Sequence, residues 1–223
     1  MIVMTHFKGH EMAGFGGSVK NLAMGCAPAS GKKDQHSVRM MVDPEKCVAC
    51  GQCLQVCPAK AITWGEFAQG KKAQIDRNIC IGCGECLTVC PVKAISMDWE
   101  GQGEEFLERM SEYAWAAVKD KPGKVGYMNF LINITPDCDC VPWSDVPIVP
   151  DIGILASLDP VALDQASYDL VNAQVGRVDS HLKCNHESGE DKFVGMGRVD
   201  GRFQLSHGET LGLGSRKYTL VEV

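Results

Sequence analysis

The feature that most constrains this chain is a cysteine-rich segment that occurs twice. DPEKCVACGQCLQVCPAKAI runs from Asp43 to Ile62, and DRNICIGCGECLTVCPVKAI runs from Asp76 to Ile95. Each copy spaces its cysteines as Cys-x2-Cys-x2-Cys-x3-Cys-Pro, using eight of the chain's 12 cysteines. Three thiolates spaced this closely on a loop can wrap one corner of an iron–sulfur cube. Gly51 and Gly84 allow the backbone the close approach that this demands. Pro58 and Pro91 follow the last cysteine and end the helical turn before it, because proline has no N–H to continue a helix.

This spacing is that of the bacterial two-cluster ferredoxins, in which the fourth cysteine of each run serves the other cluster. The expected ligand sets are therefore Cys47, Cys50, Cys53 and Cys90 for one 4Fe–4S cluster, and Cys80, Cys83, Cys86 and Cys57 for the other. Zinc is the competing metal, but zinc sites usually split their ligands into Cys-x2-Cys pairs with a longer spacer. No ligand position is substituted, which argues against three-iron variants. AKAITW and VKAISM read as short strands covering the clusters.

Composition places the chain among ordinary soluble proteins, with 45% hydrophobic and 22% charged residues. A net charge of −6 argues against nucleic acid as a partner. No run approaches the ~18 apolar residues of a membrane span, and MIVMTHFKGH lacks the apolar core of a signal peptide. The expected compartment is the cytoplasm, where thiols stay reduced and clustered cysteines are more often ligands than disulfides.

A two-cluster module needs only part of 223 residues. IVMT at the start reads as a buried strand. Its abrupt position suggests a truncated domain, or an edge lent to another subunit such as a second copy in a homodimer. A plain N-terminal strand is the alternative. EEFLERMSEYAWAAVKDKPG has apolar residues at 106, 110, 113, 114, 117 and 118, the step of an amphipathic helix, and Pro122-Gly123 stops it. KVGYMNFLINI and DIGILAS read as strands. LDPVALDQASYDLVNAQ reads as a helix with Asp159 as N-cap and Pro160 at its first position. Beyond His181, FQLSH and KYTLVEV are candidate terminal strands. The expected fold is α/β or α+β: an α/β domain from residues 1–40 and 100–223, interrupted by an inserted ferredoxin module at 41–99.

The segment HFKGHEMAGFGGSVKN fails both nucleotide-binding glycine patterns: Val19 stands where a dinucleotide fingerprint has its last glycine, and Lys20 lacks the following Ser or Thr of a P-loop. It still crowds His6, Lys8, His10, Lys20 and Asn21 around a loop leading into SVKNLAMG, a candidate helix whose N-terminus suits an anion. The alternative is a glycine-rich surface loop. Four cysteines remain. Cys138 and Cys140 flank Asp139, poorly placed to bond each other; in a strand they face one way, which suits joint metal ligation. Cys26 follows the polar loop, and HLKCNHE brings His181, Cys184 and His186 together. An additional metal ion on such residues is one reading, and ordinary buried cysteine is the other.

Residues 5–36, the doubled cysteine run and ITPDCDC with VPIVPDIGILASLDPVALDQAS together resemble the domain-of-unknown-function family 362, in its ferredoxin-containing form. The resemblance covers nearly the whole chain. It implies an iron–sulfur redox protein of anaerobic or facultative microbes, with an α/β domain wrapped around a ferredoxin insert. Many such members extend further at the N-terminus, so the chain reads as a short form or a fragment of that pattern. It also implies a second site near His6, Lys8, His10, Lys20, Asn21, Cys26, Cys138 and Cys140. Two functions follow as expectations. One is a carrier passing single electrons through two 4Fe–4S clusters to a redox partner protein. The other is a redox enzyme whose clusters feed a metal or substrate at that second site. Neither names a substrate.

Overall fold

A computed structural model describes residues 1–36, 39–98, 103–139 and 145–223, without the side chains of Lys33, Met97 and Asp98. In chain order the elements begin with β1 (Ile2–His6), β2 (Lys8–His10), β3 (Gly14–Gly16), α1 (Ser18–Gly25) and α2 (Ala29–His36). The cysteine repeats follow, with β4 (Arg39–Val42), α3 (Gln52–Val56), β5 (Ile62–Phe67), β6 (Gly70–Ile75), α4 (Glu85–Val89) and β7 (Ile95–Asp98). The chain continues through α5 (Gly103–Val118), β8 (Gly126–Leu131), β9 (Gly153–Ser157), α6 (Pro160–Asn172), α7 (Lys192–Gly195) and α8 (Phe203–Thr210). Among the described residues, no helix is long and apolar enough to cross a membrane.

The protein is a mixed α/β structure of small sheets and helices, and it divides into two compact units. Unit 1 joins Met1–Pro28 to Gly103–Val223, and unit 2 is the continuous segment Ala29–Gln102.

In unit 1, β8 is the middle strand of a sheet ordered β1-β8-β9, parallel to β1 and antiparallel to β9. Alternation along β8 sends Tyr127, Asn129 and Leu131 into the interior. An aromatic cluster fills the core: Phe15 stands 5.3 Å from Phe7, 5.6 Å from Phe193 and 5.2 Å from Tyr168, centroid to centroid. Such pairs each contribute about 0.5–1.5 kcal/mol beyond the area they bury. The first strand is not buried throughout, as IVMT had suggested. Val3 and Thr5 face inward, but Ile2 and Met4 are 72% and 61% exposed. An apolar run hides the period of two, and β1 is a strand with one solvated face.

Helices form where the sequence signals placed them. On α5 the row Phe106, Met110 and Ala114 is buried. On α6 the Asp159 side chain accepts from the Val161 and Ala162 N–H groups, with proline in the first turn. The tail differs from expectation. FQLSH lies in α8, not a strand, and KYTLVEV has no regular structure. Helix wins at 203–210 because Gln204 and Leu205 are both buried. Gln204 donates to the Ala13 and Phe15 carbonyls at 3.3 Å, while its own carbonyl accepts from the Ser111 hydroxyl of α5 at 3.0 Å. The last residues follow α6 instead of a strand, through Arg216 Nε to Gln165 and the Tyr218 hydroxyl to Asp169, both at 2.9 Å.

One buried network fixes α1 against α6. Asp164, fully buried on α6, accepts from Ser18 N–H at 2.7 Å and Val19 N–H at 2.9 Å, so it caps the start of α1. Asn129 of β8 donates to the same carboxylate at 2.7 Å and to the Ser167 hydroxyl at 2.9 Å, and accepts from the Ser18 hydroxyl at 2.8 Å. Burial pushes the Asp164 carboxyl up to about 6, against hydrogen bonds from Asn129, Val19 and Ser18 that favour the charged form. A Cβ on Gly17 would stand 2.4 Å from Asp164 Oδ1, so only glycine lets the carboxylate reach the helix. Asp164→Ala removes the cap and takes the acceptor from three buried donors, the Ser18 and Val19 amides and the Asn129 side chain. We expect a loss of about 3 kcal/mol, read as a lower urea midpoint with faster amide exchange at Ser18 and Val19. A loss below about 1 kcal/mol would show that the cap is dispensable.

Candidate functional site

Unit 2 is built by its two repeats in reciprocal fashion. Asp43 and Asp76 open equivalent turns, in which Cys47 N–H donates to the Asp43 carbonyl at 3.1 Å and Cys80 N–H to the Asp76 carbonyl at 2.9 Å. Each repeat then reaches into the other: Asp43 N–H donates to Ala94 O and Asp76 N–H to Ala61 O, both at 2.8 Å. The outer strands pair as β4 with β7, and the inner ones as β5 with β6, both antiparallel. Gly51 and Gly84 cap the short helices α3 and α4 in the left-handed conformation, each with φ of 78°. The helices stop before Cys57 and Cys90, which turn to extended backbone.

Two cavities result. One is lined by Cys47, Cys50, Cys53 and Cys90, with apolar walls that include Val42, Val48 and Ile95. The other is lined by Cys57, Cys80, Cys83 and Cys86, with Met40, Ile62 and Ile75. Each therefore draws three cysteines from one repeat and one from the other. Backbone donors point at sulfur in matching places: Ala61 N–H to Cys57 Sγ at 3.3 Å, and Ala94 N–H to Cys90 Sγ at 3.2 Å. Desolvation raises the Cys53 thiol, and desolvation followed by the nearby cysteines pushes Cys86 up to about 11.

A third cavity, polar and open, of about 280 Å³, lies in unit 1 between β1 and α1. It gathers His6, Lys8, His10, Lys20, Asn21 and Cys138 of the expected second site, together with Asp139. Local structure explains the gathering. The β1–β2 bend sets His6 and Lys8 near each other, and α1 runs alongside β1, with Asn21 Nδ2 donating to the Met4 carbonyl at 2.9 Å and to Thr5 Oγ1 at 2.8 Å. His6 donates through Nε2 to the Ile132 and Asn133 carbonyls at 2.8 and 3.0 Å, which leaves Nδ1 to accept from the Lys8 ammonium at 3.0 Å. Lys8 also pairs with Asp139. That pairing holds the Asp139 carboxyl below the usual range. His10 Nδ1 accepts from Met12 N–H at 3.2 Å and Ala13 N–H at 3.1 Å. Burial, then the charge of Lys8, lowers Lys20 to about 8.

Other expectations for this region do not hold. Cys26 is exposed at the end of α1 and does not line the cavity. Cys140 lies outside the described residues. Cys138 is disulfide-bonded, which corrects its reading as a free thiolate ligand. The extended strand assumed for the CDC stretch is absent, since the chain bends at 136–137 and turns at Asp139. The start of α1 is not open to an outside anion, because Asp164 fills it. Cys184 is exposed, with Sγ 3.7 Å from the Gly195 carbonyl. Among the described residues no three His, Cys, Asp or Glu side chains converge on one metal ion, whether here or around His181, Cys184 and His186. Cysteines that grip separate irons of a cluster stand farther apart than ligands of a single ion, so that criterion does not bear on the two sulfur-lined cavities. Asp164 and Asp139 are the residues that sequence reasoning passed over. The signal for Asp164 is an acid inside an otherwise apolar helix face, and for Asp139 an acid beside the candidate ligands.

The family described as domain of unknown function (DUF362) matches residues 1–169. An uncharacterised ferredoxin of Methanocaldococcus jannaschii is 43% identical over 35 residues, which is 16% of this chain and 46% of that protein. The chain thus spans about half the length of that curated relative.

The matched left-handed glycines give a local test. A Cβ on Gly84 meets nothing within 4 Å, so Gly84→Ala should cost only the backbone term of about 1 kcal/mol. Thermal unfolding of the variant, followed through unit 2, checks this; an unchanged midpoint would mean that the turn does not depend on the left-handed conformation.

Proposed function

The chain belongs to the DUF362 family, and we propose that it is an iron–sulfur electron-transfer protein whose unit 2 is an inserted two-cluster ferredoxin module. The observation that carries this is the composition of the two cavities, each lined by four cysteines, three from one repeat and one from the other. Cys47, Cys50, Cys53 and Cys90 would hold one 4Fe–4S cluster, and Cys80, Cys83, Cys86 and Cys57 the other. Bound there, such clusters accept and release single electrons.

The protein's own contribution fits that role. Amide donors at Ala61 and Ala94 reach sulfur, the kind of hydrogen bond that tunes a cluster's potential. Apolar walls limit water and hold the dielectric low. Buried apolar side chains of unit 2 are largely alanine and cysteine, with only Met40, Ile62 and Ile95 of larger size. So small a core supports a fold of this length poorly, and metal ligation supplies the missing stabilisation in modules of this kind. Cys50 is exposed, and Val48 and Ile81, which line the two cavities, are 58% and 60% exposed. These apolar rims suit a brief encounter with a redox partner protein, the class of contact that buries little surface. Among the described residues ten cysteines, the eight proposed ligands included, form no disulfide. That number fits a reducing compartment such as the cytoplasm.

Protein purified without oxygen should carry about eight irons per chain. Serine variants should group by cavity and not by repeat: Cys53→Ser and Cys90→Ser should leave the same residual EPR signal, and Cys57→Ser should match Cys86→Ser. Cys53→Ser pairing with Cys57→Ser would overturn the ligand assignment, and an iron-free chain after reconstitution would overturn the function.

A further inference from the structure

The polar cavity between β1 and α1 takes no part in sulfur ligation, and its chemistry is of the opposite kind. We propose that it is a receptor for a small oxyanion, a carboxylate or phosphate group, held between Lys8 and Lys20, with Asp139 as an internal competitor that the ligand displaces.

Charge makes the first argument. The chain carries −6 overall. Yet this cavity sets two ammonium groups close enough for Lys8 to depress Lys20. Lys8 is buried, and the Lys20 ammonium has no hydrogen-bond partner among the described residues, only the more distant charge of Asp139. A cationic side chain held partly out of water without a hydrogen-bonding partner is costly, and an anion arriving between the two lysines relieves that cost.

Donor chemistry makes the second argument, because it excludes the alternative of a cation. Both ring nitrogens of His6 are engaged: Nε2–H by two carbonyls, and Nδ1 by the Lys8 ammonium. His10 has Nδ1 occupied by two amide donors, which leaves its proton on Nε2. Neither imidazole keeps a lone pair for a metal, and Cys138 is tied in a disulfide. The cavity presents donors: the ammonium of Lys8, held in place by His6, and that of Lys20.

Asp139 makes the third. Its side chain is 79% exposed, yet its carboxylate sits on Lys8. It is chemically the group the cavity is shaped to accept, placed there by the chain itself. An ion pair with so exposed a partner is weak, so an incoming oxyanion exchanges with it readily. At about 280 Å³ the cavity is near the lower end of small-molecule sites. The site is distinct from the start of α1, whose Ser18 and Val19 donors Asp164 already uses.

The test is calorimetric titration of the full chain, with its metal content as purified, against inorganic phosphate and, in a second arm, succinate. Binding of either is expected at pH 7. Asp139→Asn should tighten it about threefold or more, since it removes the competitor. Lys20→Met should weaken it at least about tenfold, and wild-type affinity should fall as pH rises from 7 to 9, because Lys20 loses its proton near 8. Iron content and EPR spectra should be unchanged in both variants, which separates this site from the sulfur-lined cavities. Which arm binds more tightly identifies the headgroup. The proposal is overturned if neither anion binds the wild type or Asp139→Asn, if Asp139→Asn weakens binding, or if Lys20→Met binds as the wild type does.

Discussion

Unit 1 depends on a carboxylate that has no water to face. Asp164 binds the first two amides of α1, and through Asn129 it also binds the central strand of the sheet. Helix α1 carries Lys20 and Asn21, so the angle at which it meets β1 decides whether those side chains reach His6 and Lys8. A buried carboxylate with three donors is a demanding arrangement, because removing any partner leaves charge or dipole unmatched in a low dielectric. The same demand makes it specific. Two amides and an asparagine must meet one carboxyl, while the Ser18 hydroxyl holds the other end of that asparagine.

Unit 2 solves a different problem, that of folding with little to bury. Its repeats exchange a hydrogen bond at each end, Asp43 to Ala94 and Asp76 to Ala61, and each contributes its last cysteine to the other's cavity. Neither repeat closes a cavity of its own. The result is cooperative by construction, since a change that displaces one repeat alters the lining of both cavities.

How much of this was legible follows from the range of the interactions. The cap at Asp159 and the buried row on α5 are local, and the helices form where those signals lie. The cavity linings around the cysteines follow from spacing within short loops. The cap at Asp164 was hidden because its partners stand 146 and 145 residues away. FQLSH looked like a strand because Phe203 and Leu205 alternate with polar residues. Gln204, one of those polar residues, turns inward to the Ala13 and Phe15 carbonyls, and that contact carries no local signature. The gathering of His6, Lys8, His10, Lys20 and Asn21 was visible as crowding in sequence. That the histidines serve as positioned neutral rings, not as metal ligands, is visible only in their hydrogen bonds.

The two units present opposite electrostatic problems, and each points to a ligand of the sign that relieves it. In unit 2, burial holds the Cys86 thiol up to about 11 and raises Cys53. The protein alone does not stabilise thiolates there; a bound cation does so outright. In unit 1, burial and a neighbouring lysine bring Lys20 down to about 8. Among the described residues that ammonium has no hydrogen-bond partner, while its neighbour Lys8 has His6 Nδ1 and the exposed carboxylate of Asp139. An anion seated between the two lysines, as proposed above, would relieve both the desolvation and the repulsion.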